Sequence, residues 1–381
     1  MHMSKIESLL AQAGLNRNDP TGALSTPIYQ TSTFRHPAIG QSTGFDYSRS
    51  SNPTRLILEQ TIAALEQGDR GFAFASGMAA LTAVLTLFKP GEHFIVSDDL
   101  YGGTYRLFEE IFSRFGITTS YVDCSDTAKI EEALRPETKA VLIETPTNPL
   151  MKIADLRKIS VIAEKSGLLF IVDNTFMTPF FQRPLELGAD IVIHSGTKFL
   201  SGHNDVVCGF VVTKSCDLSG RIGFIQNATG GILSPSDSWL VIRGLKTLAL
   251  RMERTQSNAQ QLALWIKDQT TVLDVLYPGL ADHPSRLTHM SQASGFGSML
   301  SFRVKDKALV GKTIHGVELI SFAESLGGCE TLITYPALQT HGAIPGDIRE
   351  KIGVTDDLIR ISVGIEHIDD LITDLDRALN G

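Results

Sequence analysis

Short apolar runs alternate with amphipathic segments through the middle of the chain. Helices, with apolar residues at roughly helical spacing, are predicted at Arg55–Glu66, Gly77–Phe88, Thr104–Phe115, Thr127–Leu134 and Ile153–Glu164. Strands are predicted at His93–Ser97, Thr118–Val122, Ala140–Ile143, Leu168–Asp173 and Ala189–His194. This alternation predicts an α/β fold, with helices on both faces of a mostly parallel sheet.

The two ends of the chain follow other patterns. Residues 1–54 are rich in Thr, Ser, Gly and Pro and are predicted to form an extended arm. After a long helical segment at Ser236–Lys267, strands are predicted at Ser298–Val304, Glu318–Phe322 and Ile359–Val363, and a closing helix at Ile368–Leu379. We therefore expect an arm (1–54), a first domain (55–243) and a smaller α/β domain (244–381), with the boundary near Gly244.

Composition narrows the class of protein. The 381 residues are 43% apolar and 20% charged, and the formal charge of −8 argues against nucleic-acid binding, which needs clustered Lys and Arg. The absence of a run of ~18 apolar residues and of a signal segment predicts a cytoplasmic protein with no membrane span. The cysteines show no C-x-x-C pair or nearby metal-ligand histidines, so we expect reduced, mostly buried thiols and no metal site.

A lysine and an acid close successive predicted strands. Asp173 ends one strand, and Lys198 follows the next in Ser195-Gly196-Thr197-Lys198. Ligands collect at the carboxyl ends of strands in such sheets. A lysine there can form a Schiff base with pyridoxal phosphate, while the carboxylate keeps the pyridine nitrogen protonated. An isolated lysine after a strand is more often a surface residue, so the neighbouring motifs decide between these interpretations.

Short polar segments near these positions suit a phosphate group. Ser76-Gly77-Met78 precedes a predicted helix, whose first N–H groups and dipole favour an anion. A serine that only caps the helix is the alternative. Ser195 and Thr197 flank Lys198 and can donate hydroxyl hydrogen bonds to the same phosphate, although short polar residues are also common in turns.

Further motifs, spread from Pro27 to the C-terminus, make a resemblance plain. They are Tyr47-Ser48-Arg49-Ser50-Ser51-Asn52-Pro53-Thr54-Arg55, Ser76-Gly77-Met78-Ala79-Ala80, Tyr101-Gly102-Gly103-Thr104, Glu144-Thr145-Pro146-Thr147-Asn148-Pro149, Val172-Asp173-Asn174-Thr175, Ser195-Gly196-Thr197-Lys198, Gly202-His203-Asn204-Asp205 and Glu324-Ser325-Leu326-Gly327-Gly328. Together and in this order they resemble the Cys/Met-metabolism family of pyridoxal-phosphate enzymes, which includes cystathionine synthases and lyases. The resemblance implies an aminotransferase-like fold (fold type I), pyridoxal 5'-phosphate as cofactor, and a homo-oligomer.

The resemblance also implies roles for single residues. Tyr101 would stack on the pyridine ring and take part in catalysis with Lys198 and Asp173. Tyr47 and Arg49 would reach the neighbouring subunit's site and bind the cofactor phosphate there, with Tyr47 also near the substrate. The functional unit would then be at least a dimer, and we expect a tetramer. The substrate carboxylate would be held by a further set: Asn148, Arg360 and Ser325.

The type of reaction is harder to predict. Family members that act at Cγ usually carry a glutamate where this chain has Glu324, and a carboxylate there could bind the distal ammonium of cystathionine. A solvated surface charge is the alternative. Methionine γ-lyases place a cysteine where Gly103 stands, which argues against a methionine-degrading enzyme. Some γ-synthases have an arginine where Ser50 stands, which argues against a synthase-type acyl pocket. We therefore expect cystathionine chemistry at Cγ, as lyase or synthase, with a β-lyase or another C–S lyase as the alternative.

Two other classes fit less well. A non-catalytic regulator on the same scaffold would be expected to lose Lys198 or Asp173, and both are present. An ordinary aminotransferase would share both residues, yet it would need neither the arm around Tyr47 nor Glu324.

Overall fold

The computed structural model describes residues 5–16, 19–342 and 344–381. Its larger sheet has seven strands within these ranges, in the order β1-β7-β6-β5-β4-β2-β3. They are β1 (Arg70–Phe74), β2 (His93–Ser97), β3 (Thr118–Val122), β4 (Thr138–Glu144), β5 (Leu169–Asp173), β6 (Ile191–Ser195) and β7 (Gly209–Thr213). The pairs among β2 to β6 are parallel and β7 is antiparallel to both neighbours, which confirms the mostly parallel sheet.

Helices cover both faces of this sheet because the strands are apolar on both sides. The helices around it are α2 (Pro53–Glu66), α3 (Gly77–Leu85), α4 (Gly102–Arg106), α5 (Thr127–Glu132), α6 (Leu156–Ser166), α7 (Thr178–Phe181), α8 (Cys216–Thr229) and α9 (Pro235–Leu245). One buried cluster joins α2, α6 and α9 to one face, and a second joins α3 and α8 to the other. A short helix, α1 (Ile6–Ala11), lies within the segment 1–54, so part of the segment predicted to be an extended arm is helical.

A smaller sheet follows a 20-residue helix, α10 (Leu248–Lys267). Its strand order is β10-β11-β12-β9-β8, formed by β8 (Val272–Leu276), β9 (Met299–Val304), β10 (Ser321–Phe322), β11 (Leu332–Thr334) and β12 (Leu358–Ser362). The remaining helices are α11 (Arg286–Gln292), α12 (Ala308–Gly316), α13 (Gly346–Ile352) and α14 (Ile368–Asn380). A second smaller sheet region is thus present as expected, while the boundary near Gly244 stays a prediction.

Several predicted elements differ in detail. The helix expected over Thr104–Phe115 changes from α4 to a π-helical turn at Leu107–Ile111 and a 3₁₀ turn at Phe112–Phe115. The long helix expected at Ser236–Lys267 is divided into α9 and α10. The guanidinium of Arg251 donates to the carbonyl of Gly244 (2.9 Å), so a side chain satisfies that helix end. Strands β1, β7, β8 and β11 were not predicted.

The arrangement of the parallel strands determines where a site can form. Strands β2, β4, β5 and β6 all end at one edge of the sheet, and their last residues carry the polar motifs. Strand β12, from the smaller sheet, pairs with β9 and β11 and carries Arg360. Among the described residues, no helix is both long and apolar enough to span a bilayer.

Candidate active site

A cleft of about 580 Å³ lies at the carboxyl ends of the parallel strands. It is lined from the larger sheet and from loops of the smaller one, including Glu324 and Arg360. Twelve of the fourteen residues predicted for the site line it. The structure therefore brings together positions that are far apart in the sequence, and the exceptions are Tyr47 and Arg49.

Lys198 is held in a turn that follows β6. Its amide donates to the carbonyl of Ser195 (3.2 Å), and its Nζ donates to Ser325 Oγ (2.7 Å). Burial, and then the nearby positive charge of Arg360, lower the pKa of this amine to about 8 against a smaller opposing effect of Glu324. Part of the amine is therefore neutral near pH 7, and the neutral form can act as a nucleophile and a proton acceptor.

Asp173 ends β5, directly beside Glu144 at the end of β4. Burial raises the pKa of Asp173, while hydrogen bonds from the Thr175 amide (3.0 Å) and hydroxyl lower it. Burial, and then the charge of Asp173, raise the pKa of Glu144 well above its usual range. Of the two carboxyls, Glu144 therefore takes up a proton more readily, and a cation placed against Asp173 would favour its ionised form.

One end of the cleft suits a phosphate. Ser76 caps α3 by accepting from the Ala79 amide (3.0 Å), and Gly77 and Met78 lie in the first turn, where helical N–H groups have no partner within the helix. A Cβ on Gly77 would lie 3.1 Å from the Cβ of Ser195, so the backbone approaches closely. The capping role and an anion site are therefore compatible.

Thr197 lines the same end of the cleft, and its hydroxyl is hydrogen-bonded to the backbone of Cys208. Its Oγ1 donates to the carbonyl of Cys208 (3.1 Å) and accepts from the Cys208 amide (3.0 Å). The single hydroxyl hydrogen would have to turn away from Cys208 to donate to a phosphate. The side chain of Ser195 lies beside Gly77, and Ser195 also lines the cleft.

Tyr101 is 43% exposed and its side chain lines the cleft. Its amide donates to Glu144 Oε2 (3.1 Å), which fixes the backbone at the start of α4. A Cβ on Gly103 would lie 2.4 Å from the tyrosine ring, so the glycine leaves room for this ring position. An aromatic face available at the cleft fits a planar cofactor ring.

The opposite end of the cleft carries a fully buried cation. Arg360 donates from Nη1 to Asn148 Oδ1 (2.9 Å) and from Nη2 to the carbonyl of Ser325 (3.0 Å). Ser325 has a φ of 94°, a left-handed conformation that is rare for a residue with a side chain and is common at functional sites. Glu324 lines the cleft from the adjacent position, and no ion pair involves it within the described residues. These groups can bind a carboxylate and an ammonium.

Tyr47 and Arg49 lie outside the cleft of their own chain. Arg49 donates from Nη1 to the side chain of Asn227 (3.1 Å), and its guanidinium lies 5.6 Å from the centre of the Tyr47 ring. Tyr47 is 47% exposed. Their predicted role in a neighbouring subunit stays a prediction.

Some lining residues were missed from the sequence. Glu144 belongs to a motif from which only Asn148 was singled out, and Thr175 forms an Asx turn with Asp173 that the Asp-x-Thr spacing could have indicated. Arg106 and the loop carrying Gln339 also line the cleft, and no sequence signal pointed to them. No group of His, Cys, Asp or Glu in the described ranges is arranged to hold a metal.

The site has the groups that a pyridoxal-phosphate enzyme of fold type I uses. A buried lysine and an acid follow parallel strands, and an aromatic face and a helix N-terminus able to bind phosphate lie in the same cleft. The chain belongs to the family described as Cys/Met metabolism PLP-dependent enzyme, whose model matches residues 7–380. Its cofactor is pyridoxal phosphate, and the predicted family and fold class are confirmed.

Relatives in this family carry different names. The chain is 50% identical over 375 residues to the cystathionine gamma-lyase of Bacillus subtilis (strain 168), covering 98% of this chain and 99% of the relative. It is 52% identical over 374 residues (98% and 96% covered) to that organism's cystathionine gamma-synthase/O-acetylhomoserine (thiol)-lyase. It is 49% identical over 377 residues (99% and 99%) to the cystathionine beta-lyase of Lactococcus lactis subsp. cremoris (strain MG1363).

Solved structures agree with this result. The crystal structure of cystathionine gamma-lyase from Lactobacillus plantarum complexed with L-serine superposes with a TM-score of 0.95, at 47% identity, with 98% of each chain covered. The chain is therefore an enzyme of the cystathionine lyase and synthase type.

Proposed function

We propose that this enzyme acts on L-cystathionine at Cγ through Lys198, cleaving it as a γ-lyase or forming it as a γ-synthase. The observation that carries the proposal is the acidic side chain of Glu324 on the cleft wall, next to Ser325, which accepts from Lys198 (2.7 Å). A carboxylate there suits a substrate with a second ammonium group far from the reacting carbon.

Pyridoxal phosphate, when bound, supplies the aldehyde that joins the substrate amine and the ring that accepts electrons from its Cα. Asp173 would hold the ring nitrogen in its protonated form, and Tyr101 would supply an aromatic face for the ring. Lys198 Nζ removes the Cα proton, a task suited to an amine with a pKa near 8, and then carries protons at Cβ and the leaving group.

The two ends of the substrate need different groups. The α-carboxylate binds to Arg360, with Asn148 and Ser325 assisting, because a guanidinium can chelate two carboxylate oxygens. Arg360 is 1% exposed, so water competes little for this ion pair. The distal ammonium binds to Glu324.

Product analysis tests the reaction. Incubation with L-cystathionine should give 2-oxobutanoate if the enzyme eliminates at Cγ. Incubation of O-acetyl- or O-succinylhomoserine with cysteine should give cystathionine if it replaces at Cγ. Finding neither product with either substrate pair would overturn the proposal.

The role of Glu324 has a sharper test. Glu324→Gln should raise KM for cystathionine about tenfold, the value of one charge-assisted contact at a partly solvated site, while KM for a substrate without the distal ammonium stays unchanged. Glu330→Gln is the matched control because Glu330 is an exposed acid in the same loop, bonded to Asn204 (2.7 Å). Equal effects of both substitutions would contradict the assignment.

A second candidate is β-elimination. It is favoured by the 49% identity to a protein named cystathionine beta-lyase. Pyruvate, rather than 2-oxobutanoate, would then be the keto acid released from cystathionine.

We also infer that the protein is a homo-oligomer with shared sites. It would be at least a dimer, and we expect a tetramer. Arg49 does not line the cleft of its own chain, where it bonds to Asn227. Arg49 and Tyr47 of a second copy would supply the missing cation and hydroxyl.

A further inference from the structure

Asp99 lies beneath the loop that carries Asn148 and is completely buried. Its Oδ2 accepts two hydrogen bonds, one from the Thr147 hydroxyl and one from the Leu150 amide (3.1 Å). These two donors flank Asn148 in the sequence. A single carboxylate oxygen therefore fixes the loop on both sides of the residue that contacts Arg360.

The loop has further hydrogen bonds, both within itself and to its surroundings. The Thr147 amide donates to the carbonyl of Lys152 (3.0 Å), and the Thr147 hydroxyl accepts from the Lys152 amide (2.9 Å). The Lys152 ammonium is bound by Asp98 and Asp123, both at 3.2 Å. Ser301, in β9, also donates to the carbonyl of Pro149 (2.8 Å), so the loop is held from two sides, by the smaller sheet and by Asp99 after β2.

From the loop, contacts continue to the substrate side of the cleft. Asn148 Oδ1 accepts from Arg360 Nη1 (2.9 Å), and the other nitrogen, Nη2, donates to the Ser325 carbonyl (3.0 Å) and to Thr334 Oγ1 (3.1 Å). The fork of Arg360 is thus oriented from two sides, by the smaller sheet and by the Asn148 loop. A shift of the loop would rotate the guanidinium away from the bidentate geometry.

We propose that Asp99 is a positioning residue for recognition of the substrate α-carboxylate, acting through the 147–150 loop, Asn148 and Arg360. The inference rests on the proposed role of Arg360 and Asn148 in binding that carboxylate. Asp99 touches neither substrate nor cofactor, and the mechanism above gives it no task. Burial raises its pKa to about 7, so a neutral amide that accepts the same two hydrogen bonds is a fair substitute.

Binding of an amino acid compared with its matching amine isolates this function. L-Alanine and ethylamine differ only in the carboxylate, and each changes the visible absorbance of the cofactor when it binds to the holoenzyme. Asp99→Ala should weaken L-alanine binding about tenfold or more and leave ethylamine binding unchanged, since only the carboxylate interaction depends on Arg360. Asp99→Asn should keep most of the preference for L-alanine.

Two further variants distinguish a loss of positioning from a general loss of stability. Thr147→Val removes one of the two donors and should reduce the preference in part, even if Asp99→Ala fails to fold. Asp374→Ala is the matched control: Asp374 is a buried acid that accepts from the amides of Leu319 and Ile320, both at 2.9 Å, outside the cleft. It should lower the melting temperature without changing the preference.

The outcomes are distinguishable. Equal weakening of alanine and ethylamine, or an Asp99→Asn variant as impaired as Asp99→Ala, would overturn the positioning role while the proposed function stands. If the wild-type enzyme itself binds both compounds equally, the assigned carboxylate site fails, and the inference fails with it. If wild type prefers alanine but converts no sulfur substrate, only the reaction assignment fails.

Discussion

The lowered pKa of Lys198 predicts how quickly the enzyme without cofactor takes up pyridoxal phosphate at different pH values. Only the neutral amine attacks the aldehyde. With a pKa of about 8, roughly a tenth of Lys198 is neutral at pH 7. An ordinary lysine would be neutral in only about 3 of 10,000 molecules, so the difference is about 300-fold.

The direction of this pH dependence follows from the surroundings of the Lys198 amine. Burial and the charge of Arg360 disfavour the ammonium form, so the neutral form dominates above pH 8 instead of above pH 10. The rate of uptake should rise with pH through neutrality and level off just above 8. The measurement is the recovery of cofactor absorbance after mixing the apoenzyme with excess pyridoxal phosphate across a pH series.

The cofactor titrates as well, so a small amine of ordinary pKa, such as Nα-acetyl-lysine, is measured in parallel. The ratio of the enzyme rate to the rate of this amine should be constant well below pH 8 and should fall about tenfold per pH unit between pH 8 and 10, because only the reference amine is still gaining neutral form there. The Lys198→Ala variant should show no recovery of this absorbance. A ratio that stays constant from pH 7 to pH 10 would refute the environment described for Lys198, because its amine would then titrate like an ordinary solvated lysine.

Two other predictions concern packing and assembly. Gly327→Ala should lower the free energy of unfolding by about 2–3 kcal/mol in a denaturant titration, because Gly327 has a φ of 78° and a new Cβ would lie 2.6 Å from the Phe199 amide nitrogen. Gly311→Ala, in α12 with open space around the new Cβ, should instead add about 0.5–1 kcal/mol, and a loss at Gly311 equal to that at Gly327 would contradict the argument. Mixing inactive Arg49→Ala and Lys198→Ala variants, dissociated and reassembled together, should restore about a quarter of wild-type activity if each site uses residues of two copies, and no recovery would refute the shared site.

The part of the fold that could be predicted from the sequence is the part whose signal is local. Strands β5 and β6 are buried on both faces, so they appear as apolar runs that end in Asp173 and Lys198. Strand β7 is also buried along its whole length, so its apolar run Phe210–Val212 carried the same local signal and was overlooked. Its position in the sheet is a tertiary property: a Cβ on Gly209 would lie 2.3 Å from the Ser76 carbonyl oxygen, and no neighbouring residue in the sequence reveals that contact.

The same distinction applies to the site. Glu144 is visible in the sequence as an acid after an apolar run, yet its effect on Asp173 depends on the register that pairs the two across β4 and β5. Asn148, Arg360 and Ser325 were named through the family resemblance alone, because they come from both sheets and nothing local joins them. Tyr47 and Arg49 are predicted to act on a second copy of the chain, so their role belongs to the assembly and not to the fold of one chain.

The two sheets contribute differently to the chemistry, and this explains why the reaction class is clearer than the substrate. Lys198 and Asp173 follow neighbouring parallel strands of one rigid sheet, so their relation to the cofactor is determined by strand register. Glu324 and Arg360 come from the smaller sheet, where a loop residue at φ 94° follows Glu324. Changes in that loop can alter which distal group is accepted without moving the lysine or the aspartate. Relatives about 50% identical to this chain can therefore share the cofactor chemistry and still be named lyase, synthase or β-lyase.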